Sequence, residues 1–199
     1  MREDLPGSRP KTLATPRTPA ADRRGGLVAI GAAAIALVAA AVVYFNEGRE
    51  SYTLGDLWYA SVFLVVDLAN RILGARAARR VVYAGAALQA TLYLLFIDVH
   101  YAIAAGSALL WGQLLNVWVF DRLRHRAWWQ APLLSSILAY TVDSVIFNGA
   151  DLASTDGEWI SVMVDDAVNL LPYLVGMVLP YRVVLRLLPP VWRDAPADR

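Results

Sequence analysis

Apolar residues in this chain gather into six long runs separated by short polar breaks. The first, Leu27–Phe45, is 19 residues without a charge. As a helix it rises about 28 Å, close to the roughly 30 Å hydrocarbon core of a bilayer. The others cover about Leu57–Leu73, Val81–Ile97, Tyr101–Phe120, Ala131–Ala150 and Trp159–Leu188. The last is long enough to tilt or to extend past the bilayer. Ala32, Ala36 and Ala40 put small residues on one face of the first run, suited to close packing. That run is longer than a signal-peptide core and lacks a cleavage motif, so it reads as a retained span. The pattern predicts an all-α polytopic membrane protein with six transmembrane helices across residues 27–188. The Pro- and Arg-rich segment 1–26 reads as a disordered tail, and 189–199 as a short second tail.

Charge orients the pattern. Of 18 basic residues, 17 fall before the first run, at or after the end of the second, between the fourth and fifth, or in the closing part of the sixth and beyond it. The alternate connections hold only Arg49 and are otherwise acidic: Glu47, Glu50, Asp56, Asp98, Asp151, Asp156 and Glu158. Short Arg-rich loops stay cytoplasmic, which predicts both termini inside. Trp58, Tyr59, Trp128, Trp129 and Trp159 fall at the ends of runs, where amphipathic rings meet the membrane–water boundary.

Composition agrees: 58% of the 199 residues are hydrophobic, and the mean hydropathy is +0.45. No soluble core needs so much hydrocarbon. A net charge of +1, sorted by topology rather than pooled on a face, gives no reason to expect nucleic acid. The chain has no cysteine and two histidines, so no metal site or thiol chemistry is expected. No hydrolase elbow, phosphate-binding glycine loop or His-Glu metal motif appears, so neither a cofactor nor a catalytic residue is expected.

The candidate chemistry lies in polar residues that interrupt the runs. A charge at the centre of a span costs about 2.5–3.5 kcal/mol on the insertion scale. Asp67, Asp143 and Asp165 therefore need a reason to be there. Counted from the outer ends of their runs, Asp143 and Asp165 lie about 10 Å deep and Asp67 about 15 Å deep. Asn169 sits one turn below Asp165, and Gln113 and Asn116 interrupt the fourth run. Such groups converge at the depth where transporters hold substrate. Structural readings compete with this one. Arg71 stands at i+4 from Asp67 and can pair with it along the helix, and Asn70 breaks the same run. Gln113 and Asn116 can serve as hydrogen bonds between helices. If the fifth and sixth runs pack antiparallel, Asp143 and Asp165 face each other and can share a proton. Asp166 points about 100° away from Asp165, toward the outer vestibule.

The segments SVFLVVDLANRILGARAARRVV (61–82), GQLLNVWVFDRLR (112–124), YTVDSVIF (140–147) and VDDAVNLLPYLVGMVLPY (164–181) resemble the queuosine-precursor transporter family, also called VUT. The resemblance spans roughly residues 53–185. It implies a six-helix inner-membrane importer of deazaguanine bases, the free precursors of the tRNA nucleoside queuosine. By position, Asp67, Arg71 and Gly74 match the family's motif in the second run. Gly112, Gln113, Phe120, Arg122 and Arg124 match the fourth run and its inner loop. Asp143 and Ser144 match the fifth, and Asp165 and Pro180 the sixth. Asn169 stands where related members are expected to carry lysine, and Asn116 where some have aspartate. Tyr59-Ala60 replaces a common proline.

The substrate-binding set expected is thus Asp67, Asn70, Arg71, Gln113, Asn116, Asp143, Asp165 and Asn169. A carboxylate accepts from the adjacent N–H and NH₂ of a guanine-like edge, and Gln113 or Asn169 donates to its carbonyl. Trp111, Phe63 and Phe147 are candidates to stack on the flat ring. The expected partners are a small heterocyclic base and the lipid bilayer; a homo-oligomer is compatible with the pattern. Two rival functions stand beside transport. One is a substrate-binding membrane subunit that needs a separate energising complex, and the other an intramembrane enzyme using an Asp pair.

Overall fold

The computed structural model describes residues 53–151 and 159–188, with Leu27, Ile30, Gly31 and Ala34 of an earlier helical segment. The expected tails 1–26 and 189–199, and most of the first span, lie outside the described residues. Among these residues every regular element is a helix: α1 (Thr53–Leu73), α2 (Ala75–Phe96), α3 (Val99–Leu123), α4 (Gln130–Asp151) and α5 (Trp159–Leu187). They correspond to the second through sixth apolar runs. Three are long and apolar enough to cross a membrane: Val99–Leu123, Gln130–Ala150 and Trp159–Leu187. α1 and α2 have comparable length but include Asp56, Asp67 and Arg71, or Arg76, Arg79 and Arg80.

The bundle is organised around α1, which touches all four other helices, while α2, α3, α4 and α5 follow one another in an arc around it. The sequence of α1 suits a central position, because its buried residues are not confined to one stripe. Val62 and Val66 pack with Ala78, Val81, Val82, Leu109 and Val117 of α2 and α3. Ala60 and Phe63 pack with Ala139, Leu170 and Leu174 of α4 and α5. Asp67 and Asn70, on the same helix, are carried into the interior with them.

The corners are short and chemically specific. One residue, Gly74, separates α1 from α2, with φ 88° and ψ 166°, a region open essentially to glycine alone. Its N–H still donates to Asn70 O at 3.0 Å, so the chain turns without losing the helical bond. Between α2 and α3, Asp98 caps α3 by accepting from Tyr101 N at 2.8 Å. That accounts for one residue of the acidic connections in capping terms. At the opposite pole the basic connections meet. Arg124 Nη2 donates to the Asn70 and Arg71 carbonyls at 3.1 and 3.4 Å, closing the end of α1, and Arg182 stacks over Trp128.

Candidate functional site

Two buried carboxylates on different helices define the polar interior. Asp67 accepts from Asn116 Nδ2 of α3 at 2.9 Å and from Ser136 Oγ of α4 at 3.3 Å. Asn116 Nδ2 also lies 3.3 Å from Gln113 Oε1, so one amide joins Asp67 to Gln113. Asn70 donates to Val117 O at 3.0 Å, tying α1 to α3. The expected i+4 pair does not account for Asp67: Arg71 Nη1 donates instead to Arg124 O at 3.0 Å. The physical reason is that Arg71 lies in the last turn of α1, where Arg124 of the α3–α4 connection packs against the helix end.

Asp143 is the second carboxylate. It accepts from the Tyr59 hydroxyl of α1 at 2.6 Å, the length of a charge-assisted bond. It stands where α3 and α4 come closest: a Cβ on Gly112 would lie 2.9 Å from Asp143 Cβ and 3.1 Å from Ala139 O. Only a residue without a side chain lets the helices meet there. Aromatic rings surround this point. Tyr59, Phe63 and Tyr140 meet edge to face with centroids 6.0 to 6.3 Å apart. Tyr93, Tyr101 and Phe147 form a second set at 5.2 and 5.4 Å.

Four buried polar atoms here lack a hydrogen-bond partner among the described residues: Asp143 Oδ1, Gln113 Nε2, Asn116 Oδ1 and Asn70 Oδ1. A buried polar atom left unmade costs about 1–3 kcal/mol, so clustered orphans mark a place where a ligand can supply the missing partner. The set is mixed, with three acceptors and one donor. The described residues nonetheless leave little room beside Asp67. The space beside Asp67, bounded by Leu64, Ser136, Leu174 and Tyr181, measures about 10 Å³. That is about the least space that can hold one water, roughly 10–15 Å³. A further concavity, about 600 Å³, is an apolar groove between α2 and α3 lined by residues such as Ala86, Ala90, Ile103 and Gly106. None of the orphaned polar residues lines it.

Six of the eight candidate residues thus come together on α1, α3 and α4: Asp67, Asn70, Arg71, Gln113, Asn116 and Asp143. Asp165 and Asn169 do not join them. Both are exposed on the outer face of α5, so the expected meeting of Asp165 with Asp143 is absent. The rotation of α5 is set by Leu170, Leu174 and Tyr181, which are buried against its neighbours. That stripe turns Asp166 inward, where Asn148 Nδ2 donates to it at 3.3 Å. Trp111 is exposed as well, which removes it as a stacking surface; Phe63 and Phe147 remain inside. Residues that sequence reasoning did not assign to the site are Tyr59, Tyr93, Tyr140, Ser136 and Asn148.

A helical bundle that hides carboxylates and amides among apolar helices is the architecture of a multi-pass membrane transporter. The chain belongs to the family described as "Putative vitamin uptake transporter", which it matches over residues 53–105 and 98–181. It is 31% identical over 123 residues to the "Probable queuosine precursor transporter" of Haemophilus influenzae, covering 51% of this chain and 52% of that protein. It is 32% identical over 117 residues to the "Queuosine precursor transporter" of Escherichia coli K12, covering 48% and 52%. The chain therefore spans about half the length of these relatives. They are transporters rather than enzymes. No solved structure matches the chain.

Proposed function

We propose that this protein imports queuosine precursors, deazaguanine bases of the 7-cyano- or 7-aminomethyl-7-deazaguanine type, across the bacterial inner membrane for tRNA modification. The observation that carries the reading is that one buried interior holds both an orphaned acceptor, Asp143 Oδ1, and an orphaned donor, Gln113 Nε2. Gln113 directly follows Gly112, the residue whose backbone lies against Asp143. A guanine-like edge offers two adjacent N–H donors to a carboxylate and a carbonyl oxygen to an amide N–H. The Tyr59, Phe63 and Tyr140 rings add faces on which a flat base stacks, at about 1–3 kcal/mol per base. Asp67 and Asn116 hold Gln113 in place from behind. The space beside Asp67 is too small for a base, so in this reading the base enters when the helices part, as alternating access requires.

In this reading the domain has six spans with both termini cytoplasmic. Single cysteines placed at Ser51 and Ser154 of this cysteine-free chain label from outside only; labelling from the cytoplasm alone overturns the orientation. The function itself is tested in cells that neither make nor import the precursor. Expression of this chain restores queuosine in their tRNA when a deazaguanine base is supplied. Correct membrane insertion without restored queuosine rejects the proposal. Uptake by the purified protein in liposomes separates a self-sufficient carrier from a subunit that needs an energising complex.

A further inference from the structure

At the pole where the basic connections meet, the helix ends enclose a small pocket. It measures about 90 Å³ and is walled by Arg71, Arg124, Arg126, Trp128, Tyr181 and Leu185. That is several times the roughly 10–15 Å³ that one water needs. Asn70, Gln113, Asn116 and Asp143 do not line it, and of the expected substrate residues Arg71 alone does. The pocket is therefore separate from the polar interior between α1, α3 and α4.

Its wall suits an anion. Arg71 and Arg124 hold each other in place through neutral carbonyls: Arg71 Nη1 donates to Arg124 O at 3.0 Å, and Arg124 Nη2 to Arg71 O at 3.4 Å and Asn70 O at 3.1 Å. Arg124 Nη1 reaches Asp121, which does not line the pocket, at 3.1 Å. Arg126 follows on the same connection and is exposed. No Asp or Glu among the described residues lines the pocket. A guanidinium held in a fixed fork loses little freedom when it grips phosphate oxygens. Tyr181, buried and set edge to face against Phe120 with centroids 6.2 Å apart, brings a hydroxyl donor to the same wall.

The surroundings place the pocket at headgroup depth. Trp128 and Trp129 are exposed beside it, and Arg182 stacks over the Trp128 ring at 4.4 Å. Arg122 stacks over exposed Trp118 at 4.6 Å on the same pole. Indole rings topped by guanidiniums belong at the membrane–water boundary, where lipid phosphates lie. Leu185 continues the wall as apolar surface along α5, on which an acyl chain can rest. We propose that this pocket binds a phosphate group at the membrane boundary, gripped by Arg71, Arg124 and Arg126. The headgroup of an anionic phospholipid carries that group at the matching depth, as basic pockets between membrane helices take headgroups elsewhere. Free phosphate brings the same chemistry from water.

Two measurements on the purified full chain separate the sources. In native mass spectrometry, phosphatidylglycerol retained at higher occupancy than phosphatidylcholine identifies a headgroup site. A higher unfolding temperature in inorganic phosphate than in chloride at equal ionic strength identifies a site open to the free anion. In either case Arg126→Gln weakens binding about tenfold, the loss expected for a charge-assisted pair. Arg80→Gln, which removes the same charge from an exposed position on α2, leaves binding unchanged. Absence of both responses, or equal losses in the two variants, overturns the proposal. So does binding that appears only when Asp194→Asn and Asp198→Asn are combined, since the chain's own carboxylates then take the pocket.

Discussion

Asp67 and Asp143 are the same residue type, comparably buried, on neighbouring helices of one bundle, and they are satisfied in opposite ways. Asp67 has both oxygens occupied by donors from two other helices. Asp143 has one strong donor, Tyr59, and one oxygen left open. The first arrangement is what a fold does with a carboxylate it uses as a knot between helices. The second keeps an acceptor free at an energetic cost, which is what the proposed binding role of Asp143 requires. Burial alone therefore does not distinguish a structural from a binding carboxylate; the count of satisfied lone pairs does.

Substitutions sharpen or break this contrast. Asp143→Asn removes the charge and turns an N–H toward the donors of the substrate edge. We expect uptake to fall by a hundredfold or more, roughly 3–5 kcal/mol, at unchanged membrane insertion. Initial rates in proteoliposomes measure it, and wild-type rates move Asp143 to the structural side. Gly112→Ala forces a methyl into the contact with Asp143 Cβ, overpacking that costs about 1–3 kcal/mol. It should lower uptake about tenfold, which a Gly112→Ser variant shares and an alanine at exposed Trp118 does not.

Asp67→Asn tests the other half of the comparison. An amide there turns its NH₂ toward one of the two donors, so stability drops by about 1–3 kcal/mol. Uptake per folded molecule stays within severalfold of wild type. A thermal unfolding series beside the transport assay separates the two readouts, and a hundredfold loss without destabilisation erases the distinction between the carboxylates. The smallest effect belongs to Tyr59→Phe, which keeps the ring and deletes one hydrogen bond. Uptake should change only a fewfold, through loss of the orientation that the hydroxyl gives Asp143.

The helices and their order were legible because membrane insertion writes long apolar runs; most described runs became helices within four residues of their expected ends, while α2 starts six residues early and takes in Arg76, Arg79 and Arg80. Asp67, Gln113, Asn116 and Asp143 were legible for the same reason, as polar residues where hydrocarbon should be. Tyr59 was not: a tyrosine near the end of a run looks like a boundary anchor, and its bond to Asp143, 84 positions away, depends on tertiary packing. Asp165 and Asp166 show the other limit. Adjacent residues point about 100° apart, so choosing the inward one requires the rotation of α5. The positions of Leu170, Leu174 and Tyr181 hold that information, but in a run apolar on nearly every side no stripe stands out.

The tight packing beside Asp67 bears on the proposed transport kinetics as well as on chemistry. When the binding-competent form is a minor fraction of the population, the measured affinity is the intrinsic one reduced by that fraction. Capture is then gated by the protein. At high substrate concentration the observed association rate levels off at the rate of helix separation, on the microsecond-to-millisecond scale of collective motion. That plateau should be common to all bases that fit, whatever their individual affinities. Differences between substrates appear in how long each stays once the helices have closed over it.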